Sequence, residues 1–245
     1  MCIRDRGGDL IVMGGDGTLH EAVNGLTNFE NCALGLIPAG TGNDFAVAAG
    51  IPLDPVKAVD LILDSPPLPT EYMQLPGVRG INVAGTGIDV EILKRCRASK
   101  MLRGKFQYII SLIISLCKFK NYGMTVRLNG KEHRFSALIA CVGNGFRIGG
   151  GVPMCPEAKL GDGLLDFVAV DDVKKRKVPF AFVKLMKGKI LQEKFTFSER
   201  CEHIEIVPDR PLTVQVDGEL YDGLPFTVDI VKDKLRMYRA GEAAE

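Results

Sequence analysis

Along the first third of the chain, short apolar runs alternate with stretches whose apolar positions recur every three to four residues. Leu10-Ile-Val-Met13, closed by Gly14-Gly15, has the pattern of a buried parallel strand. In Thr18–Leu26 the residues Leu19, Ala22, Val23 and Leu26 share one helical face. Ala33–Ile37 is a second apolar strand ended by Pro38. Residues 44–49 predict a short helix stopped by Gly50, and 55–63 predict another. Repeated strand–helix units imply an open parallel sheet with helices packed on it.

Ser65-Pro-Pro-Leu-Pro69 breaks this pattern. It can hold neither a helix nor a central strand, so it marks a linker. Beyond it the period shortens. Strand-like runs occupy 80–84, 124–128, 135–142, 164–170, 202–207, 212–216 and 225–231, and Asn129-Gly130 between two of them signals a tight hairpin. One long helical stretch, about 91–119, interrupts them. The fold class expected is α/β plus β-rich. A doubly wound α/β domain over 1–70 precedes an antiparallel β-sandwich-like domain over 71–232, and about 233–245 are candidates to return to the first.

Only eight residues precede the Asp9 that opens the first strand, and Met1–Arg6 follows neither period. Parallel strands need neighbours joined by crossovers of a dozen or more residues. The expectation is that native N-terminal sequence is missing and that the first six residues are foreign.

Composition narrows the classes. With 46% hydrophobic and 25% charged residues and a net charge of +1, the chain is globular and lacks the field of a nucleic-acid binder, and it has no Trp. No run of eighteen apolar residues exists to span a bilayer. Seven dispersed Cys without a CxxC pair read as reduced thiols of a cytoplasmic protein, neither a disulfide framework nor a zinc site.

Five motifs carry candidate chemistry. Gly14-Gly-Asp-Gly-Thr18 lies between a buried strand and a helix, where glycines let backbone approach a ligand and the helix N-terminus favours phosphate. Asp16 there can hold Mg²⁺ or a hydroxyl but would repel naked phosphate, and Thr18 can cap the helix. Pro38-Ala-Gly-Thr-Gly-Asn-Asp44 follows the second strand in the same way. Two such turns at the carboxyl ends of neighbouring strands make one crevice. Thr41 and Asn43 are donor candidates, and Asp44 is either a helix-start carboxylate or an active-site member. Gly85-Thr-Gly-Ile-Asp89 is a weaker signal. Asp162, between two glycines, either aims a carboxylate at a cation or serves the turn alone. In Val216-Asp-Gly-Glu219 two carboxylates two residues apart suit a general base, although such a sequence alone also reads as a solvated hairpin.

Taken together the motifs resemble the bacterial diacylglycerol kinase family of soluble lipid kinases, which includes the kinase domains of sphingosine and ceramide kinases. The matching stretches are GGDGT (14–18) with Glu21 and Asn24-Gly25, PAGTGNDF (38–45), INVAGTGID (81–89), GGGVPMCPEAKLGDGLLDF (149–167) and VDGE (216–219). The resemblance implies that the first domain binds ATP and that the active site lies between the domains. Gly14, Gly15, Asp16, Gly17, Thr18, Leu19, His20 and Glu21 match the nucleotide-binding turn, and Gly40, Thr41, Gly42 and Asn43 a second nucleotide contact. Asp162, with the carbonyls of Lys159 and Leu164, matches a structural Mg²⁺ site. Glu219 matches the general base that deprotonates the lipid hydroxyl, Asp217 its neighbour, and Asp16 and Asp44 the acids of the cleft. The sequence departs from the pattern in three places. The family's opening strand and Asn-Pro loop are absent, His20 stands where Asn is usual, and Glu71 falls near a position usually held by Asp.

The expected reaction is transfer of the γ-phosphoryl of ATP to a lipid alcohol such as diacylglycerol. Residues 92–120 carry eight Lys/Arg and no acid. Such a helix can rest on an anionic membrane surface peripherally or pack on the sheet with its charges in water. Lys174-Lys-Arg-Lys177 reads as a solvated loop. Exposed strand edges in the second domain would allow a homodimer. Another GGDGT kinase, such as one acting on NAD, and a non-catalytic nucleotide- or lipid-binding fragment are the alternatives.

Overall fold

A computed structural model of the chain describes residues 8–27, 29, 31–98 and 121–241. The first six residues, and the long helical stretch beyond residue 98, lie outside the described residues. Strands β1 (Leu10–Gly14) and β2 (Ala33–Pro38) pair in parallel, with Leu10 opposite Leu34 and Gly14 opposite Pro38. They stop at one level, so the loops that follow leave the sheet side by side. Helix α1 (Asp16–Gly25) lays Leu19 and Val23 against Val12, Leu34 and Leu36. The first strand is not buried on both faces. Among the described residues it is the sheet's edge, and Ile11 and Met13, pointing away from α1, are exposed. Gly15 is the N-cap of α1, so Thr18 lies inside the first turn and does not cap it. Helix α2 (Asp44–Ala48) follows β2, and α3 (Pro55–Asp64) is capped by Asp54, which accepts from the Val56 and Lys57 amides at 3.0 and 3.1 Å.

The proposed linker is partly strand. β3 (Leu68–Leu75) begins within it, and Pro69 pairs opposite Arg236. The proline is tolerated because it sits at the strand's start. The remaining elements are β4 (Val78–Gly80), β5 (Val83–Gly87), α4 (Ile88–Ala98), β6 (Tyr122–Leu128), β7 (Lys131–Gly143), β8 (Leu165–Asp171), α5 (Val178–Met186), β9 (Thr196–Cys201), β10 (His203–Pro208), β11 (Thr213–Val216), β12 (Glu219–Asp222) and β13 (Phe226–Met237). The described strands form one sheet, in the order β1-β2-β13-β10-β6-β7-β5-β11-β12, with β3 and β4 beside β13 and β8 and β9 beside β7. Outside the β1–β2–β13 contacts the pairings are antiparallel, so the chain is mixed α/β with a sheet-rich, sandwich-like second part. Each strand-like run of the sequence overlaps a strand, although 80–84 spans the end of β4, a bend at 81–82 and the start of β5. Asn129 and Gly130, at φ 48° and 73°, make the β6–β7 turn.

β7 explains its own apolar run. Ala140 and Val142 enter a cluster with Phe167, Ile204 and Val228, while Leu138 and Cys141 enter a second cluster with Val168 and Val170. Both faces are covered, so alternation disappears. β13 binds the two parts of the chain. It pairs with β10 and β3, and its last residues, Arg236 and Met237, pair in parallel with Ala33 and Leu34. Beside the second cluster lies a cavity of about 270 Å³ walled by Ile88, Ile92, Ile139, Val168, Phe182 and Leu185.

Candidate functional site

The two glycine loops touch. A Cβ on Gly15 would lie 2.9 Å from Gly40 Cα, and one on Gly40 would come closer still to Gly15. Only glycine permits this approach. Asp16, the first residue of α1, reaches across to α2, where Oδ2 accepts from the Asp44 amide at 3.1 Å and Oδ1 from the Phe45 amide at 3.0 Å. It thereby caps the neighbouring helix. Burial pushes the Asp16 carboxyl up, with the Asp44 and Asp217 charges adding to the effect and the two amides opposing it. Asp44 is buried, its Oδ1 accepting from Arg147 Nε and its Oδ2 from the Gly150 amide, both at 2.7 Å. Asn43 sits in the left-handed region at φ 50° and uses its side chain on the loop itself: Oδ1 accepts from the Gly40 amide and Nδ2 donates to the Gly40 carbonyl. Thr41 is exposed beside it, as are Gly17 and Thr18.

The VDGE segment forms the turn between β11 and β12, with Asp217 at φ 52° and Gly218 at φ 90°. Asp217 points inward. Its oxygens accept from the Ile81, Asn82 and Val83 amides at 2.8, 2.9 and 3.1 Å and from His20 Nδ1 at 3.0 Å. Four donors fill the carboxylate's lone pairs. Asp217, the neighbour of Glu219 in the motif, is thus spent on holding the turn. His20 is equally committed. A carboxylate only accepts, so Nδ1 donates to Asp217, and Nε2 lies 2.7 Å from the Tyr221 hydroxyl. The side chains of His20 and Leu19 are buried in this clasp and in the core, so those two residues offer a ligand only backbone. Glu21 is exposed on α1.

Glu219 faces the groove. Its Oε2 pairs with Arg97 Nη2 at 2.9 Å, and the same nitrogen donates to the Gly218 carbonyl at 2.9 Å. The other oxygen looks across at the first glycine loop, since a Cβ on Gly17 would meet Oε1 at 3.9 Å. Tyr221 stands below, its hydroxyl pushed up by burial first and by Glu219 and Asp217 second. Segments 14–18, 38–45 and 216–219 therefore share one groove. Asp16, Asp44, Asp217 and Gly218 also belong to the wall of the apolar cavity.

The loop holding Lys159, Asp162 and Leu164 lies elsewhere, against β3, where Glu71 Oε2 accepts from the Gly161 amide at 3.1 Å. Asp162 Oδ1 accepts from the Leu164 amide, and Oδ2 lies 3.3 Å from Arg200 Nη2. Arg200 also meets Asp166 Oδ1 at 3.4 Å, yet Asp166 Oδ2 is buried without a partner. Burial pushes the Asp166 carboxyl up, Arg200 opposes this, and Asp162 and Glu157 add to it. One guanidinium thus balances a group of acids with an orphaned oxygen, and among the described residues no three His, Cys, Asp or Glu side chains are grouped to hold a metal ion.

Arg147, Arg97 and Tyr221 escaped the sequence reading. Arg147 bonds Asp44 across 103 positions, and no local pattern shows such a pairing. Arg97 stood inside a basic run that suggested a membrane. Among the described residues, Cys32, Cys141, Cys155 and Cys201 are free and buried, and no helix is long and apolar enough to cross a membrane.

Paired glycine loops facing a carboxylate across a sheet-borne groove are kinase-like in class, and comparison with known proteins makes the class definite. The diacylglycerol kinase catalytic domain model matches residues 3–75, and the YegS C-terminal NAD kinase beta sandwich-like domain model matches residues 82–239. The chain belongs to this family of diacylglycerol kinase-like lipid kinases. A "Probable lipid kinase YegS-like" from Xanthomonas euvesicatoria pv. vesicatoria is 32% identical over 95% of this chain and 79% of its own length. A "Diacylglycerol kinase" from Mycobacterium tuberculosis is 30% identical over 94% and 76%. A solved diacylglycerol kinase from Bacillus anthracis str. Sterne, 24% identical, superposes with a TM-score of 0.72 over 96% of this chain and 78% of that one, a likeness of fold. Yeast NADH kinase, 11% identical with a TM-score of 0.50, shares the fold alone.

Proposed function

We propose that the chain is an ATP-dependent lipid kinase that transfers the γ-phosphoryl group to the hydroxyl of a lipid such as diacylglycerol. The observation that carries this reading is the position of Glu219, facing Gly17 of the phosphate-type loop in a groove whose acids also wall an apolar cavity. The triphosphate would lie on the glycine loops, where backbone amides and the start of α1 offset its charge. The lipid's acyl part would fill the cavity and leave its hydroxyl at the groove. That oxygen attacks the γ-phosphorus as the bond to the bridging β,γ-oxygen breaks, ADP leaves, and the proton passes to Glu219 Oε1. Arg97 holds the other oxygen and so orients the base.

Asp217 and His20 work one step removed, fixing the turn that presents Glu219. Mg²⁺ bound by Asp162 with the Lys159 and Leu164 carbonyls would tie the 159–166 loop to β3, and Mg²⁺ accompanying the nucleotide would neutralise phosphate charge. Glu219→Ala is expected to lower phosphoryl transfer by roughly a hundredfold or more with nucleotide affinity little changed. Radiolabelled ATP and dispersed diacylglycerol measure the first, calorimetry the second. Near-normal turnover in the variant would refute the base.

A further inference from the structure

Helix α5 carries a surface that phosphoryl transfer leaves unused. Its sequence, Val178-Pro-Phe-Ala-Phe-Val-Lys-Leu-Met186, holds one charge in nine residues. A helix apolar all round belongs inside a protein, yet this one lies at the surface. Val178 and Ala181 are buried and Phe182 and Leu185 wall the cavity, while Phe180, Val183 and Met186 are 50%, 49% and 48% exposed. Three residues at i, i+3 and i+6 make one outward stripe.

Cations frame the stripe. Lys174, Arg176 and Lys177 precede it and Lys187 and Lys189 follow, all exposed and none in an ion pair among the described residues. Lys184 stands over the Phe180 ring at 5.3 Å and pairs with Glu193 at 3.0 Å. The acids nearby are few: Asp171 accepts from the Ser136 amide, Asp172 is exposed, and Glu193 is used by Lys184.

We propose that α5 and its flanking cations dock the chain on an anionic phospholipid bilayer, with Phe180, Val183 and Met186 entering the acyl boundary. Charge names the occupant, because a ring of unpaired cations around an apolar stripe complements an anionic headgroup layer over hydrocarbon. Continuity supports it too. The same helix presents its other face to the cavity, so a lipid leaving the bilayer at α5 meets the cavity wall directly. Lys174, Arg176 and Lys177, from a run that reads as a solvated loop by sequence alone, become the forward part of this surface. The inference rests on the cavity being a lipid site, but docking can be measured without turnover.

The full chain contains no Trp, so Phe180→Trp places a single reporter on the stripe. Its emission is expected to shift to the blue, and to be quenched by brominated acyl chains, on vesicles of phosphatidylcholine with about 30% phosphatidylglycerol, and to stay unmoved on pure phosphatidylcholine. Replacing Phe180, Val183 and Met186 together by Ser should weaken vesicle partitioning roughly tenfold or more, and neutralising each flanking cation about fivefold. Turnover of a water-soluble short-chain diacylglycerol should persist in the Ser variant while turnover of the vesicle-borne lipid falls. A reporter blind to anionic vesicles, or undiminished binding by the Ser variant, overturns the proposal. So does a Ser variant that converts a dimer to a monomer and still binds vesicles, which would assign the stripe to a second copy. Docking through α5 by a chain that phosphorylates no lipid would uphold the surface and defeat the kinase reading instead.

Discussion

Asp89 shows what a single buried carboxyl does to the chain. It stands in the first turn of α4, packed beside Gly85 and Gln215, and neither oxygen makes a well-formed hydrogen bond. Burial pushes its carboxyl from an ordinary 3.8 up to about 7, offset only in part by the Val90 amide and Gln215. The folded form therefore keeps a proton that the unfolded form releases. The contribution to stability is fully present below the unfolded value and is lost as pH rises through about 7. The span between the two values is worth about 4 kcal/mol. Asp89→Asn removes this titration. Urea unfolding should find the variant more stable than the parent at pH 8 by a few kcal/mol and little different near pH 4. A parent and variant that share one pH slope would show that Asp89 ionises without penalty.

At the scale of elements, the β11–β12 turn sets the site. Gly218 is at φ 90°, a conformation that costs a residue with a Cβ about 1–2 kcal/mol. Gly218→Val should bend the turn, shift Glu219 away from Gly17 and lower turnover about tenfold or more, with nucleotide affinity unchanged because the glycine loops are untouched. An equal loss of both would mean that the turn itself holds nucleotide. The same scale shows what was legible in the sequence and why. The strand–loop–helix units that carry GGDGT and PAGTGNDF could be read because apolar runs and glycines are local signals. The VDGE turn could be read as chemistry only beside the other motifs. β3 was hidden by prolines at its start and by Glu71 and Gln74 within it, and β12 by its four mixed residues. Helix α5 gave no polar face to set a period. The clasp of His20, Asp217 and Tyr221 joins positions about 200 apart along the chain, so no spacing announces it.

Across the whole molecule, the proposed phosphoryl transfer between groups borne on β1, β2 and β12 would require distant ends of one sheet to keep register. By sheet order β1 and β12 are the two ends of the path, and α1 closes that gap by joining His20 to Asp217. β13 supplies the other tie, and Leu235 sits within it, fully buried among Val12, Leu34 and Tyr72. A cavity there strips contacts from both parts of the chain at once. Leu235→Ala should cost about 3 kcal/mol and leave a single unfolding transition. Native-state hydrogen exchange then has a definite outcome: amides of β1, β2 and β7 that exchange by global opening should all speed up by about a hundredfold. Faster exchange confined to β1 and β2 would mean that the nucleotide-loop part opens by itself. The groove would then be assembled from two independent bodies, and turnover would follow their docking equilibrium instead of the stability of the sheet.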